Sequence, residues 1–408
     1  METAQKETAQ KRCGKAVAAA ALLSLSLTAC GGADAADAEA RNTLTIQDYY
    51  DESHDPIYHA CAKSLGFDIE INHIPGPGLI PKVLQQSSSR TLPDVLMLDN
   101  PDGQQIAASG ALSPLTDYGV SGAGLVPSVV KAGTYEGKLY GLAPAVNTLA
   151  IFYNKDMFQA AGITTPPRTW DELRATAKRL TRQDRYGFAM SNINTYEGTW
   201  QFLPFMWTNG GSERDITTPE TAQALQFLVD LQNDGSISKS SVIWSQDDVI
   251  DQFIAGKAAM VVNGPWQIPD LKEQRNLNWA TFGIPTRVAS QAPVAPLGGE
   301  IFTVPRTGDK AKMAKAGQFV KCLGSPASQS QSAEVRQNIP AQPDVAEKFG
   351  ESSQTIMPFV GAVRNARSRT EMLGPDWPKA ATKIYNAVQI ALTGLATPAE
   401  ALRQAQGG

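Results

Sequence analysis

His54, His59 and His73 are the only histidines in 408 residues, and just the first two stand close, five apart. A zinc site asks for a tighter set of His, Cys or carboxylate ligands, so this pattern supplies none. Ser236-Ile237-Ser238-Lys239 spells a Ser-x-x-Lys pair, but the companion motifs of that nucleophilic chemistry are absent. Gly76-Pro77-Gly78 lacks the strand, glycine fingerprint and helix that together cradle a dinucleotide. Asp99-Asn100-Pro101-Asp102-Gly103 is acidic without the ligand spacing of a calcium loop. Many Asp/Glu pairs could be imagined as general acid and base, yet none stands in a recognisable motif. No catalytic residue, metal ion or cofactor is expected. What remains is binding chemistry. The chain carries 7 Trp, 10 Tyr and 13 Phe. An aromatic face covers apolar C–H surface, while carboxylates, amides and arginine satisfy hydroxyl groups.

Those residues need elements to hold them, and the length suggests two or three domains, each with its own core. A formal charge of −4, from 36 basic and 40 acidic residues, disfavours a nucleic-acid binder, which shows a concentrated basic surface. The first thirty residues set the compartment. Lys6, Lys11, Arg12 and Lys15 precede an apolar run from Ala16 to Ala29. That run would span about 21 Å as a helix, too short for a lasting membrane span and right for a signal peptide over residues 1–29. Leu27-Thr28-Ala29-Cys30-Gly31-Gly32 resembles a bacterial lipobox, which implies that Cys30 is acylated and becomes the mature N-terminus. Residues 30–42 then form a lipidated start and a flexible tether. Loss of 1–29 leaves 32 basic against 38 acidic residues, a charge of −6. Only Cys61 and Cys322 remain available for pairing. Export permits a disulfide between them, but both fall in helix-like stretches, and two free buried thiols fit equally well.

Leu44–Ile46, Phe67–Ile71 and Asp94–Leu98 read as strands, separated by helices at Ile57–Leu65 and Leu79–Gln86. That β-α-β-α-β order predicts a mostly parallel sheet with covering helices. Asn100–Gly103 then reads as a loop at a strand's carboxyl end, where open α/β sheets bind ligands. Further on, Thr169 and Glu172 mark a capped helix start, and Pro219–Asn233 is amphipathic. Val249–Ala255 closes a helix, and Ala258–Val262 suits a strand covered on both faces. Lys310–Leu323, Lys379–Leu392 and Pro398–Ala405 are helical, and Ser325–Ser332 is a low-complexity tract.

Gly137-Lys138-Leu139-Tyr140-Gly141-Leu142-Ala143-Pro144 is followed by Ile151-Phe152-Tyr153-Asn154-Lys155-Asp156-Met157-Phe158, Ala161-Gly162-Ile163 and Pro166–Leu173. Later come Phe253–Trp266, ending Asn263-Gly264-Pro265-Trp266, and the tail Thr397–Leu402. In combination these blocks resemble the family 1 extracellular solute-binding proteins, the group of oligosaccharide receptors of ABC importers, over essentially residues 43–406. The resemblance implies a two-lobed α/β fold, each lobe a mostly parallel sheet flanked by helices. Domain one would take 43–145 plus 297–340, and domain two 146–296 plus 341–408. Breaker-rich Ala143-Pro144, Ala295–Gly298 and Ile339-Pro340 suit the crossings between them. It also implies a non-catalytic, monomeric receptor, held on the outer face of the cytoplasmic membrane by its lipid. Such a receptor closes on a carbohydrate and hands it to ABC permease subunits.

Candidate ligand residues follow from both arguments. Gly264-Pro265 forces a turn that aims Trp266 off a strand end. By family position Asn147 lies in a crossing strand, and Trp200 marks a stacking aromatic with Tyr196 and Glu197 beside it. Tyr49, Tyr50 and Asp51 follow strand one, and Asp99 and Asn100 follow strand three. Gly298-Gly299-Glu300 opens the return into the first domain, where a small residue admits a ligand to backbone. Trp377 is expected at the cleft edge. Each has a plainer role as well: Tyr49 or Trp377 in a core, Asp51 or Asp99 as a helix cap, Glu300 as a solvated charge. An enzyme on the same fold, or a receptor for a polyol, phosphodiester or metal chelate, stays open, with the acidic balance weighing against anionic ligands.

Overall fold

The computed structural model describes residues 42–364 and 366–407; the signal segment, Cys30 and residues 31–41 of the tether lie outside the described residues. One sheet has the order Asp68–His73, Thr43–Asp48, Val95–Asp99, Glu300–Pro305, Leu112–Ser113, with Gly141–Leu142 also on Glu300–Pro305. Thr43–Asp48 pairs in parallel with both of its neighbours. The returning strand Glu300–Pro305 is antiparallel and sets Glu300 opposite Asp99. Val95–Leu98 is buried on both faces, as a continuous apolar run in a covered sheet should be.

The second sheet centres on Ala150–Asn154, flanked by Met260–Asn263 and Trp279–Phe282. Here the expectation of a mostly parallel sheet needs correcting, because both ladders are antiparallel. Parallel pairing is limited to isolated bridges, those of Tyr186 to Ala258, Ala189 to Val261 and Thr169 to Thr286 among the described residues. The chain enters this sheet along Ala150–Asn154, running away from the first, whereas Met260–Asn263 runs back and ends with Asn263 opposite Ala150. The helices Tyr196–Thr208, Pro219–Asn233, Trp377–Leu392 and Pro398–Gly407 share one apolar core with this sheet.

Local chemistry accounts for the helix limits. Thr169 accepts from the Glu172 amide at 3.3 Å, and the Glu172 carboxylate reaches back to the Arg168 amide at 2.6 Å. That is one residue beyond a strict capping box. Ser245 and Asp248 form a complete box at the start of Gln246–Ile254. The supposed low-complexity tract is the helix Pro326–Arg336, because Ser325 caps the Ser328 amide and Pro326 fits the first turn. Asn100–Gly103 is likewise no loop. Pro101 opens the helix Asn100–Ala108 directly off its strand, and Gly103 leaves room for Ile301, whose Cδ1 would lie 2.2 Å from a Cβ there and would have to move. Cys61 and Cys322 are disulfide-bonded, Cα atoms 5.8 Å apart. The bond ties the helix Asp55–Leu65 to Lys310–Leu323, which pack side by side on the first sheet, so helical placement was no obstacle to pairing.

Between the sheets, short extended segments lie abreast. Ala145–Val146 pairs with Ile339–Pro340, and Pro296–Leu297 with Arg367–Ser368. Asn147 bridges Gly298, and Thr148 Oγ1 donates to the Pro296 carbonyl at 2.7 Å.

Candidate functional site

Strand one ends at Tyr49 and Tyr50, and the returning strand begins at Glu300, so all three meet at one sheet edge. Tyr49 Oη donates to Glu300 Oε1 at 2.8 Å, and Tyr50 Oη donates to Oε2 at 2.5 Å. Burial raises the Glu300 carboxyl, and the two phenols offset part of that rise. Burial, reinforced by Glu300, pushes both phenols well above the usual tyrosine range, so they remain donors. Glu300 is thus a buried group and not a solvated charge. The Arg336 guanidinium lies 4.5 Å from the Tyr50 ring centre and holds Asp51 at 2.9 Å. Asp51 itself is exposed and caps the turn Glu52–His54.

Asp99, opposite Glu300, is engaged by both terminal nitrogens of Arg369, one at 2.8 Å. The same guanidinium lies 4.6 Å from the centre of the Trp200 ring, and Trp200 is only 6% exposed. Asn100 donates to the Leu297 and Gly299 carbonyls, at 3.3 and 3.0 Å, leaving its Oδ1 without a partner among the described residues. Asn147 is buried beside Gly298. The glycines here make room for protein. A Cβ on Gly298 would sit 2.0 Å from Asn147 Oδ1 and 2.6 Å from the Trp200 ring. Gly299, at φ +106, faces the Val146 and Ala145 backbone.

From the second sheet, the half-buried Trp266 folds its ring over Gly264, where a Cβ would lie 1.8 Å away. Its turn leaves the strand Met260–Asn263 at the junction end. Tyr196, half-buried beside Tyr385, has its hydroxyl pushed up by burial and then by the charges of Asp102 and Asp99. Glu197 accepts from the Gln246 amide at 2.8 Å, and burial raises its carboxyl. Trp377 does not line a cleft. It is 1% exposed, its ring 6.3 Å from that of Trp207 in the second core, where the long helix needs a large anchor. Trp200, Asn147, Asp99, Asn100, Tyr49, Tyr50, Glu300, Gly298 and Gly299 are therefore brought together, and the charge of Asp99 reaches Tyr196. Asp51 and Glu197 serve mainly as local caps.

Sequence reasoning missed Arg336, Arg369 and Asp102. The two arginines pair with acids 285 and 270 residues away. Their one local sign is Arg367-Ser368-Arg369, paired basic residues in a stretch with no helical period. Arg367 turns the other way, to Glu213 at 2.6 Å and over Trp207 at 4.4 Å.

The sequence pattern of bacterial extracellular solute-binding proteins matches residues 57–357. This chain belongs to that family. A binding protein of Brucella abortus is 25% identical over 235 residues, 55% of this chain and 57% of that one. The chain thus spans little more than half the length of that relative. A maltooligosaccharide ABC transporter solute-binding lipoprotein of Streptococcus pneumoniae is 24% identical over 398 residues, 90% of each chain. The maltose-bound MalE3 of T. maritima superposes with a TM-score of 0.80 at 22% identity, over 90% of this chain and 98% of that one. The bilobal α/β fold of solute-binding proteins is therefore the fold of this chain.

Among the described residues of this solute-binding protein, no group of three or more His, Cys, Asp or Glu is placed to hold a metal ion. No described helix is long and apolar enough to cross a membrane. Tyr49 and Trp266 are half-buried, while the Tyr50 and Trp200 rings are buried with the Arg336 and Arg369 guanidiniums over them. Trp266 is the cleaner probe of the two tryptophans, since Trp200 also supports a core. Trp266→Ala is expected to weaken ligand binding by ~2 kcal/mol, the scale of a binding hot spot, with little change in the ligand-free melting temperature. Lost stability with affinity intact would return Trp266 to a packing role.

Proposed function

We propose that this protein is a lipid-anchored extracytoplasmic receptor that binds a carbohydrate, an oligosaccharide by preference, between its two sheets and delivers it to an ABC importer. The observation that carries this reading is the set of planar faces and hydrogen-bonding groups at the junction. Tyr49 and Trp266, the half-buried rings, suit the C–H faces of pyranose rings. Glu300, Asp99 and Arg369 suit the hydroxyl rim. Catalysis by Glu300 or Asp99 is disfavoured by the same geometry. Both oxygens of Glu300 are taken by phenols and both of Asp99 by one guanidinium, so neither is free to act as a proton donor or nucleophile. Phosphodiesters are disfavoured because each buried arginine already faces a carboxylate. The ligand touches groups from both sheets, so it stabilises the closed arrangement over an open one.

A thermal-shift panel of mono- and oligosaccharides, with chromatography of the recovered ligand, tests the reading. A raised melting temperature with the sugar intact supports a receptor, and a new product would make the protein an enzyme. Anchoring is tested apart from this. Cys30→Ser should move the protein from the membrane fraction to the medium, and unchanged membrane association would remove the lipid anchor.

A further inference from the structure

Every acid at the junction has a partner except one. Asp99 has Arg369, Glu300 has two phenols, Asp51 has Arg336 and Glu197 has the Gln246 amide. Asp102, in the first turn of Asn100–Ala108, is 4% exposed, and its Oδ1 has no hydrogen-bond partner among the described residues. Arg369, whose charge acts on Asp102, spends both terminal nitrogens on Asp99, and its Nε has no partner among the described residues. Tyr196, packed against the second core, has its hydroxyl pushed up by burial and then by Asp102. The adjoining Asn100 Oδ1 is also buried and unpartnered. An ionised acid without a partner in such a place is costly, and a hydrogen-bonding group brought by a ligand would complete it.

We propose that Asp102 is a specificity-determining ligand residue that accepts a protonated amine, so that among carbohydrates this receptor prefers one carrying a basic nitrogen. The inference rests on the carbohydrate reading and narrows it. A hydroxyl would satisfy the hydrogen bond but give the carboxylate, once ionised, no opposite charge. An ammonium group does both, and its charge-assisted bond is the stronger one. The ion pairs agree: among the described residues Arg336 pairs with Asp51 and Arg369 with Asp99, and neither pairs with Asp102.

The test is calorimetry on the mature protein with three β-1,4 series of matched length: glucose oligomers, their 2-amino analogues and their N-acetylated analogues. The aminated series should bind at least tenfold tighter than the unsubstituted one, and N-acetylation, which removes the charge, should abolish the gain. Asp102→Asn should collapse the ratio between the series to within about threefold, while Asp102→Glu should keep a preference for the amine. Unsubstituted sugars binding as tightly as aminated ones would overturn this inference and leave the carbohydrate reading standing. An amine preference that survives Asp102→Asn would also overturn it. If no member of any series binds, and no other carbohydrate shifts the melting temperature, the carbohydrate reading falls and this inference with it.

Discussion

Asp102→Asn is expected to raise the stability of the ligand-free protein at pH 8 and to lower it at pH 4, where only the amide's own cost of about 1–3 kcal/mol remains. Burial first, then the neighbouring Asp99, lifts this carboxyl from its ordinary 3.8 to about 7, with Arg369 opposing. A folded pKa above the unfolded one means that the folded protein holds the extra proton between those values. The group's contribution is then whole below about pH 4 and is lost as pH rises through about 7. Ionising it in the fold costs up to about 4 kcal/mol on that span. The asparagine has an amide to satisfy in the same place, at about 1–3 kcal/mol. A net gain of about 1–3 kcal/mol at pH 8 follows. Denaturant titrations at both pH values check it, and an equal effect at pH 4 and pH 8 would show that Asp102 is not protonated on folding. The stability given up at Asp102 is of the kind expected of a group kept for a ligand.

The disulfide should show the second large effect. Replacing both Cys61 and Cys322 by Ser is expected to cost about 2–5 kcal/mol, because the bond closes a long loop in the unfolded chain. Two helices on the first sheet would lose their covalent tie, yet none of the junction groups touches either cysteine, so ligand affinity should persist. The denaturant midpoint should fall with a similar slope. An unchanged midpoint would mean that packing around Tyr58, Phe319 and Phe302 alone fixes the two helices.

Much of the scaffold was legible because it is written in local chemistry. Pro219–Asn233 and Lys310–Leu323 begin at Thr218 and Asp309, caps that any reading of helix starts can find. The strand Val95–Asp99 announces itself as an apolar run between breakers. Errors arose where a local sign had two meanings. Asn100-Pro101-Asp102-Gly103 looks like a turn, but proline is equally at home in a first helical turn, and Gly103 leaves room for Ile301. Ser325–Ser332 looks unstructured, yet its serine and proline are a cap and a first turn. Trp377 sits near breakers in sequence and is pulled inside by Trp207, a contact no periodicity reveals.

The candidate site was legible on its strand-end half and hidden on the other. Tyr49, Asp99 and Glu300 stand at strand ends, so topology alone gathers them. Arg336 and Arg369 enter from helix and turn segments whose register against the sheet is set by the whole fold. Reading Gly298 as a ligand-facing position also failed, because the space above it belongs to Trp200 and Asn147.

The central claim is that ligand sits at the junction, held by both sheets. Hydrogen–deuterium exchange of the mature protein, with and without the sugar selected by the thermal-shift panel, tests it in one measurement. Ligand should slow exchange together at residues 48–51, 99–103, 196–200, 263–266, 297–300 and 367–370, with the rest of the chain little changed. Protection confined to one sheet, or centred away from these segments, would contradict the account.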